Sequence, residues 1–218
     1  MTKEPKGKKS KHTIEHFKRG DNDQQDHKLM DAMKEFLGKG FKLFKQSVCF
    51  NGRVNKTQWK GVRGPMYQDC VCWKTFLRIS HKYQHRPHVA LVEGVIGRIA
   101  SSKLPRGVSQ PEKGSGVEFH SLLVIVDPIL RTIGVFNPWL PGQVRSGVVK
   151  RVQDIRPKLV SRLLSRYKKY NIYHSSGKQV HTSDCRVHCL RFAKLLGKQG
   201  RYNYLHNTTE IIWKPIKH

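Results

Sequence analysis

The chain has 218 residues and carries 42 Lys plus Arg against 15 Asp plus Glu, a formal net charge of +27. That length can bury one sizeable core, and a charge of this size and sign points to polyanionic partners rather than to any fold. There is no twenty-residue apolar run and no signal-peptide pattern, so neither membrane spanning nor secretion is expected. Five cysteines (49, 70, 72, 185 and 189) make an odd count without framework spacing, which excludes a disulfide scaffold and predicts a reducing compartment.

Residues 1–27 are polar and basic, with Lys3, Lys6, Lys8, Lys9, Lys11, Lys18 and Arg19 against Glu4 and Glu15. They are predicted to form a tail that is disordered or ordered only by a partner, leaving 28–218 as a single domain. Leu29, Met30, Met33, Phe36 and Leu37 recur at helical spacing, and Gly38-Lys-Gly40 ends that helix. From 41 to 86 the chain is aromatic, basic and turn-rich, with Trp59, Tyr67, Trp73 and Phe76, and gives no clear pairing pattern. His88 to Ile99 reads as a strand pair or as one strand bent around Gly94 and Gly97. Residues 101–116 are rich in Ser, Pro and Gly and form a loop at the rim of a cleft.

Val117 to Val126 is β-branched and apolar enough for a central strand, and Asp127-Pro128 marks a turn. Thr132 to Phe136 is a second short strand, ended by Asn137-Pro138. Between 150 and 169 the chain is strongly basic, with Asp154 its one acid. There Leu159, Val160, Leu163, Leu164 and Tyr167 make the apolar face of a helix, and Lys158, Arg162, Arg166 and Lys169 form a cationic stripe on another face. Residues 172–180 include a strand that delivers Gln179. Thr182, Ser183 and Asp184 are good N-cap residues for a helix opening at Cys185. Its apolar face is Val187, Leu190, Ala193, Leu195 and Leu196, with Gly197 as its stop. Tyr202 to Trp213 forms a final strand. The pattern as a whole is α+β.

Four residues carry chemistry together. Two antiparallel strands joined by the turn at 127–128 can set His120 and Asn137 side by side, so that Asn137 fixes one nitrogen of the imidazole. An amide orients the ring without balancing an imidazolium charge as a carboxylate would. A thiol at a helix N-terminus beside an imidazolium is held toward its thiolate, the nucleophilic form. The attacked carbonyl oxygen would meet the backbone N–H of Cys185 and the Gln179 amide. Nucleophile, base, orienter and oxyanion donor are the roles that acyl transfer by cysteine needs. Taken singly, a Cys in an apolar helix is a small buried hydrophobe, which is the reading for Cys189, and Asn-Pro is a turn. It is the joint order and spacing that separates this set from those readings.

Asn137 follows His120 by 17 residues, and Gln179 precedes Cys185 by 6. With Phe136-Asn137-Pro138 and Ser183-Asp-Cys-Arg-Val-His-Cys189, this resembles the adenain family, the adenovirus-type maturation cysteine proteases. It also resembles the Ulp-type proteases that cut SUMO-like modifiers and share the clan. The resemblance covers roughly 117–196. It implies a papain-like core in which a mixed or antiparallel sheet packs against the helix bearing the nucleophile. It further implies an endopeptidase acting on capsid or core precursors of a virus or virus-like element, at sites of small residues or Gly. Location in the virion and the host nucleus goes with that reading. Arg186 stands where the family usually has Gly, and Ser121 where it often has Trp.

The same resemblance implies assistance by DNA or by an activating peptide; no other cofactor is expected. The charge alone predicts sequence-independent phosphate contacts whose affinity falls with salt. The stripe Lys158, Arg162, Arg166 and Lys169 is the candidate surface, since acids to lace it are nearly absent. Cys49, Cys70, Cys72, His81, His85 and His88 match no common zinc spacing, and no metal is assigned. Two further readings are a Ulp-type deconjugase, marked by a stoichiometrically bound ubiquitin-like partner, and a non-enzymatic basic nucleic-acid-binding core protein, marked by an inert Cys185.

Overall fold

Leu122, Leu123, Val124, Ile125 and Val126 are buried in succession. Neighbouring residues of a strand point to opposite faces, so such a run is stable only where both faces of its sheet are covered. The computed structural model describes residues 25–44, 48–49, 71–72, 76, 85–99, 116–138, 165, 167–177 and 185–216, and of these 25–27, 49, 71–72, 93–99 and 116–120 by backbone alone. Within them the run lies in strand β5 (Gly116–Asp127), at the middle of a mixed sheet.

On one side β5 pairs antiparallel with β4 (His88–Ile99). The register of that pair shifts between Val95 and Gly97, so His88 to Ile99 is one strand with a bulge at the expected bend. Beyond β4 run two short parallel partners, β1 (Lys42–Leu43) and β2 (Val48–Cys49), and β3 (Val71–Cys72) pairs with β2. On its other side β5 turns through 128–131 into antiparallel β6 (Thr132–Asn137). Asp127 Oδ1 accepts from the N–H groups of Ile129 and Leu130 at 2.9 and 3.1 Å, which closes the turn. Then β7 (Asn171–Ser176) joins β6 in parallel, and β8 (Lys214–Pro215) joins β7 antiparallel.

One face carries two helices, α1 (Gln25–Leu37) and α2 (Cys185–Gln199). Leu29, Ala32, Met33 and Leu37 of α1 and Cys189, Leu190, Phe192, Ala193 and Leu196 of α2 pack with Val89, Leu91, Leu123, Ile125 and Phe136. The opposite face gathers Ala90, Val92, Leu122, Val124, Val126, Ile133 and Val135 with Phe76 and Tyr167. Tyr167, which spacing places on an apolar face, is buried. No helix among the described residues is long and apolar enough to cross a membrane.

Four expectations are corrected. Helix α1 begins at Gln25, so residues 25–27 belong to the domain and not to a tail. Gly197 does not stop α2: a Cβ there would lie 1.8 Å from the Phe36 carbonyl oxygen, so glycine at 197 lets α1 and α2 touch backbone to backbone. The helix ends at Gly200, with φ +74 and its N–H on the Leu196 carbonyl at 2.9 Å, the C-terminal use of glycine. Residues 202–213 form turns and irregular chain, and the last strand is Lys214–Pro215. Tyr204, Ile211 and Trp213 are buried without a ladder because side chains take over its hydrogen bonds. Asn207 Oδ1 accepts from Trp213 N at 2.7 Å and Thr208 Oγ1 from Ile211 N at 3.0 Å, while Trp213 Nε1 donates to the Tyr204 carbonyl at 2.7 Å. Finally, Lys168 and Lys169 lie in a turn after Tyr167, closed by Tyr170 N on the Tyr167 carbonyl at 3.0 Å. Lys169 therefore does not continue a helical stripe.

Candidate active site

β5 is longer than its partner β6. Its ladder with β6 runs from Asp127 back to Leu123, whereas its ladder with β4 continues to Gly116. His120 sits in that overhang, opposite Gly94 of β4. Asn137 is the last residue of β6 and is buried, 4% exposed. Leu123 opposes Phe136, so the same register carried one step on sets Asn137 opposite Leu122. His120 lies two residues beyond Leu122 along β5, past the end of the ladder with β6.

The first turn of α2 is brought to the same end of the sheet. Cys185 opens the helix, is buried with 7% exposure, and is not part of a disulfide. As first helical residue its N–H is not part of the helix's own ladder, and it lies where the macrodipole favours an anion. One turn later Cys189 Sγ donates to the carbonyl of Ser121, the residue after His120, at 3.6 Å. A second tie runs through aromatic rings: Phe136, beside Asn137, stacks on Phe192 of α2 with centroids 3.8 Å apart and planes at 10°. Phe192 in turn meets Trp213 edge-on at 5.6 Å. Each ring pair contributes about 0.5–1.5 kcal/mol beyond area burial. These contacts fix α2 against the strands that carry His120 and Asn137.

Gln179 lies outside the described residues, three residues beyond the end of β7. The chain leading to it is held beside Asn137: Gly177 N donates to the Asn137 carbonyl at 2.8 Å, and a Cβ at Gly177 would come 2.9 Å from the Pro138 carbonyl oxygen. The elements that carry His120, Asn137 and Cys185 meet at one end of the sheet, and Gln179 follows a strand whose exit touches Asn137. Alternation from Phe136 puts Asn137 on the face of Val135, opposite the face that carries α2. Thr182, Ser183 and Asp184 also lie outside the described residues. Phe192, which sequence spacing did not place on the buried face of α2, belongs to its centre; an Ala193-Leu196 stripe extended one residue back would have found it.

Of the cationic stripe, Lys158, Arg162 and Arg166 lie outside the described residues, and Lys169 is exposed in its turn. Of the thiols weighed for zinc, Cys49 and Cys72 are register partners on β2 and β3, while Cys70 and His81 lie outside. Among the described residues no group of three or more His, Cys, Asp or Glu could hold a metal ion. His88 is buried at the start of β4. Burial, and then the charges of Arg86 and Lys42, lower its pKa to about 4 against a partial rise from a backbone hydrogen bond at Arg86. The ring is therefore neutral near pH 7.

No family model matches the chain, and no curated protein matches it. Among solved structures the chain is similar to a SUMO protease Ulp1 whose catalytic cysteine is oxidised to a sulfinic acid, at 13% identity and a TM-score of 0.41, covering 82% of this chain and 67% of that one.

Proposed function

We propose that the chain is a cysteine endopeptidase of adenain type, acting on precursor proteins of a virus or virus-like element. The observation that carries the reading is the seating of Cys185. A buried thiol opens a helix whose next turn is hydrogen-bonded to the residue after His120, and Asn137 ends the neighbouring strand. Cys185 attacks the scissile carbonyl. His120 takes the thiol proton and returns it to the leaving amine, so that a thioester forms as the peptide bond breaks. Water, deprotonated by His120, then releases the acid. Asn137 orients the imidazole, and the Cys185 N–H with the Gln179 amide holds the oxyanion. Cleavage beside small residues or Gly, help from DNA, and residence in a virion and host nucleus belong to the same proposal.

The deciding experiment incubates the full chain with an irreversible thiol-directed peptide probe and with candidate precursor proteins, with and without DNA. The reading expects probe on Cys185 and cleavage abolished in Cys185→Ala with thermal stability retained. Cleavage by Cys185→Ala would sink it. The charge of +27 favours one other reading, a basic nucleic-acid-binding core protein, for which wild-type Cys185 would stay unlabelled while nucleic acid binds.

A further inference from the structure

Three short segments meet at one corner of the fold, where both helices end. Residues 38–43 follow α1, 85–88 lead into β4, and 198–203 close α2. Arg86 Nη1 donates to the Lys39 carbonyl at 3.5 Å, and Lys42 N donates to the Pro87 carbonyl at 2.8 Å. A Cβ at Gly40 would lie 3.4 Å from Arg201 Cβ, so the third segment packs on the first. Together they carry Lys39, Lys42, Arg86, Lys198 and Arg201, and no Asp or Glu lies on any of the three. Two helix C-termini attract cations to their carbonyl ends, which accounts for Lys39 and Lys198. Arg86 bonds the first of these ends through the Lys39 carbonyl, but neither helix end accounts for the ring beside them.

That ring is Tyr202, 71% exposed. The Arg201 guanidinium sits 4.4 Å from its centroid and donates to its hydroxyl. The cation therefore sits toward the hydroxyl end of the ring, and most of the ring is open to solvent. An exposed aromatic ring among cations, with no acid on their three segments, is an arrangement suited to stacking an unpaired base beside its phosphates. In a duplex the base faces cover one another and offer such a ring nothing, and an acidic peptide would use the cations without the ring.

We propose that this corner binds single-stranded nucleic acid, with Arg86, Arg201 and Lys39 on successive phosphates and Tyr202 stacked on a base. The proposal deepens the polyanion part of the reading above and does not depend on the cysteine chemistry. The test measures fluorescence anisotropy of the full chain with a labelled mixed-sequence single-stranded DNA fifteen-mer, with its duplex, and with polyglutamate as competitor, across a salt series. Tyr202→Ala is expected to weaken single-strand binding about 5- to 100-fold without altering the salt slope, and Tyr202→Trp to restore it. R86Q/R201Q is expected to reduce that slope by about 0.7 for each phosphate no longer neutralised. Tyr202 is exposed and Arg86 and Arg201 are half-buried, so an unshifted melting temperature checks the fold. Wild-type failure to bind, Tyr202→Ala binding like wild type, or an unchanged slope in the double variant each overturns the proposal. So does a fall in duplex binding by the same factor in Tyr202→Ala, or displacement of the oligonucleotide by polyglutamate at equal charge. A chain that cleaves precursors and fails here keeps its cysteine site without this surface; one that binds as expected with Cys185 inert does the reverse.

Discussion

The Cys189 thiol donates to the carbonyl oxygen of Ser121 across 68 residues of sequence, at 3.6 Å. It joins the turn after the proposed nucleophile to the residue after the proposed base. An α-helix rises about 1.5 Å per residue, so Cys185 lies about 6 Å along the axis from this tie. Cys189→Ala should therefore lower stability by about 1 kcal/mol and slow the Cys185 reaction more than that destabilisation alone would. Cys189→Ser keeps a donor and should recover most of the rate. Equal rates for Ala and Ser, measured as iodoacetamide labelling of Cys185 against pH, would show that the bond serves only packing.

Gln179 and Asn137 should separate kinetically. Gln179→Ala is expected to cut kcat about 100- to 1000-fold with little change in KM, because an oxyanion donor acts mainly in the transition state. Asn137→Ala should cost less than His120→Ala, since it removes an orienter and leaves the base. Wild-type turnover in Gln179→Ala would remove it from the oxyanion role.

Gly197 and Gly38 make a matched pair for stability. Gly197→Ala drives a methyl into the Phe36 carbonyl, 1.8 Å from the ideal Cβ, and should cost about 3 kcal/mol or more, since α1 must leave α2. Gly38 has φ +62 but nothing within 4 Å of a built Cβ, so Gly38→Ala should cost only about 1–2 kcal/mol of left-handed backbone strain. Urea midpoints read both. Similar destabilisation at the two sites would contradict the close approach of the helices.

His88 should make stability fall in mild acid. Its folded pKa of about 4 lies below the ordinary 6.5, so between those values the unfolded chain binds a proton that the folded chain refuses. The contribution is complete above pH 6.5 and is lost as pH falls toward 4, by up to about 3 kcal/mol. Burial of the ring is the main cause, so His88→Met should flatten this part of the profile. Comparing the two proteins at pH 7.5 and 4.5 isolates it from the general repulsion of a cationic chain. Parallel profiles would mean that His88 titrates normally.

Buried strands were legible where burial on both faces wrote an unbroken apolar run, as at Leu122–Val126, and α1 was legible from Leu29, Met33 and Leu37 on one stripe. Gly197 misled because a glycine needed for close helix packing reads like one needed for a helix stop, and only the partner helix distinguishes them. The stretch 202–213 misled because Tyr204, Ile211 and Trp213 are apolar enough for a strand, while the hydrogen bonds that hold them come from Asn207 and Thr208 side chains. The parallel pairing of β6 with β7 joins residues about 40 apart, beyond any local pattern. In the candidate site, order and spacing supply the proposed residues. The ties that align their elements, Cys189 to Ser121 and Phe136 to Phe192, are tertiary and left no local signal.

Helix α2 meets β5 near its start and touches the backbone of α1 at Gly197. Twelve residues, about 18 Å of rigid rod, separate Cys185 from the second contact. Between the two ends Phe192 and Leu196 seat the rod on the sheet, so the last turn of α1, through Phe36 and Leu37, sets the height at which the distant thiol stands above the strands.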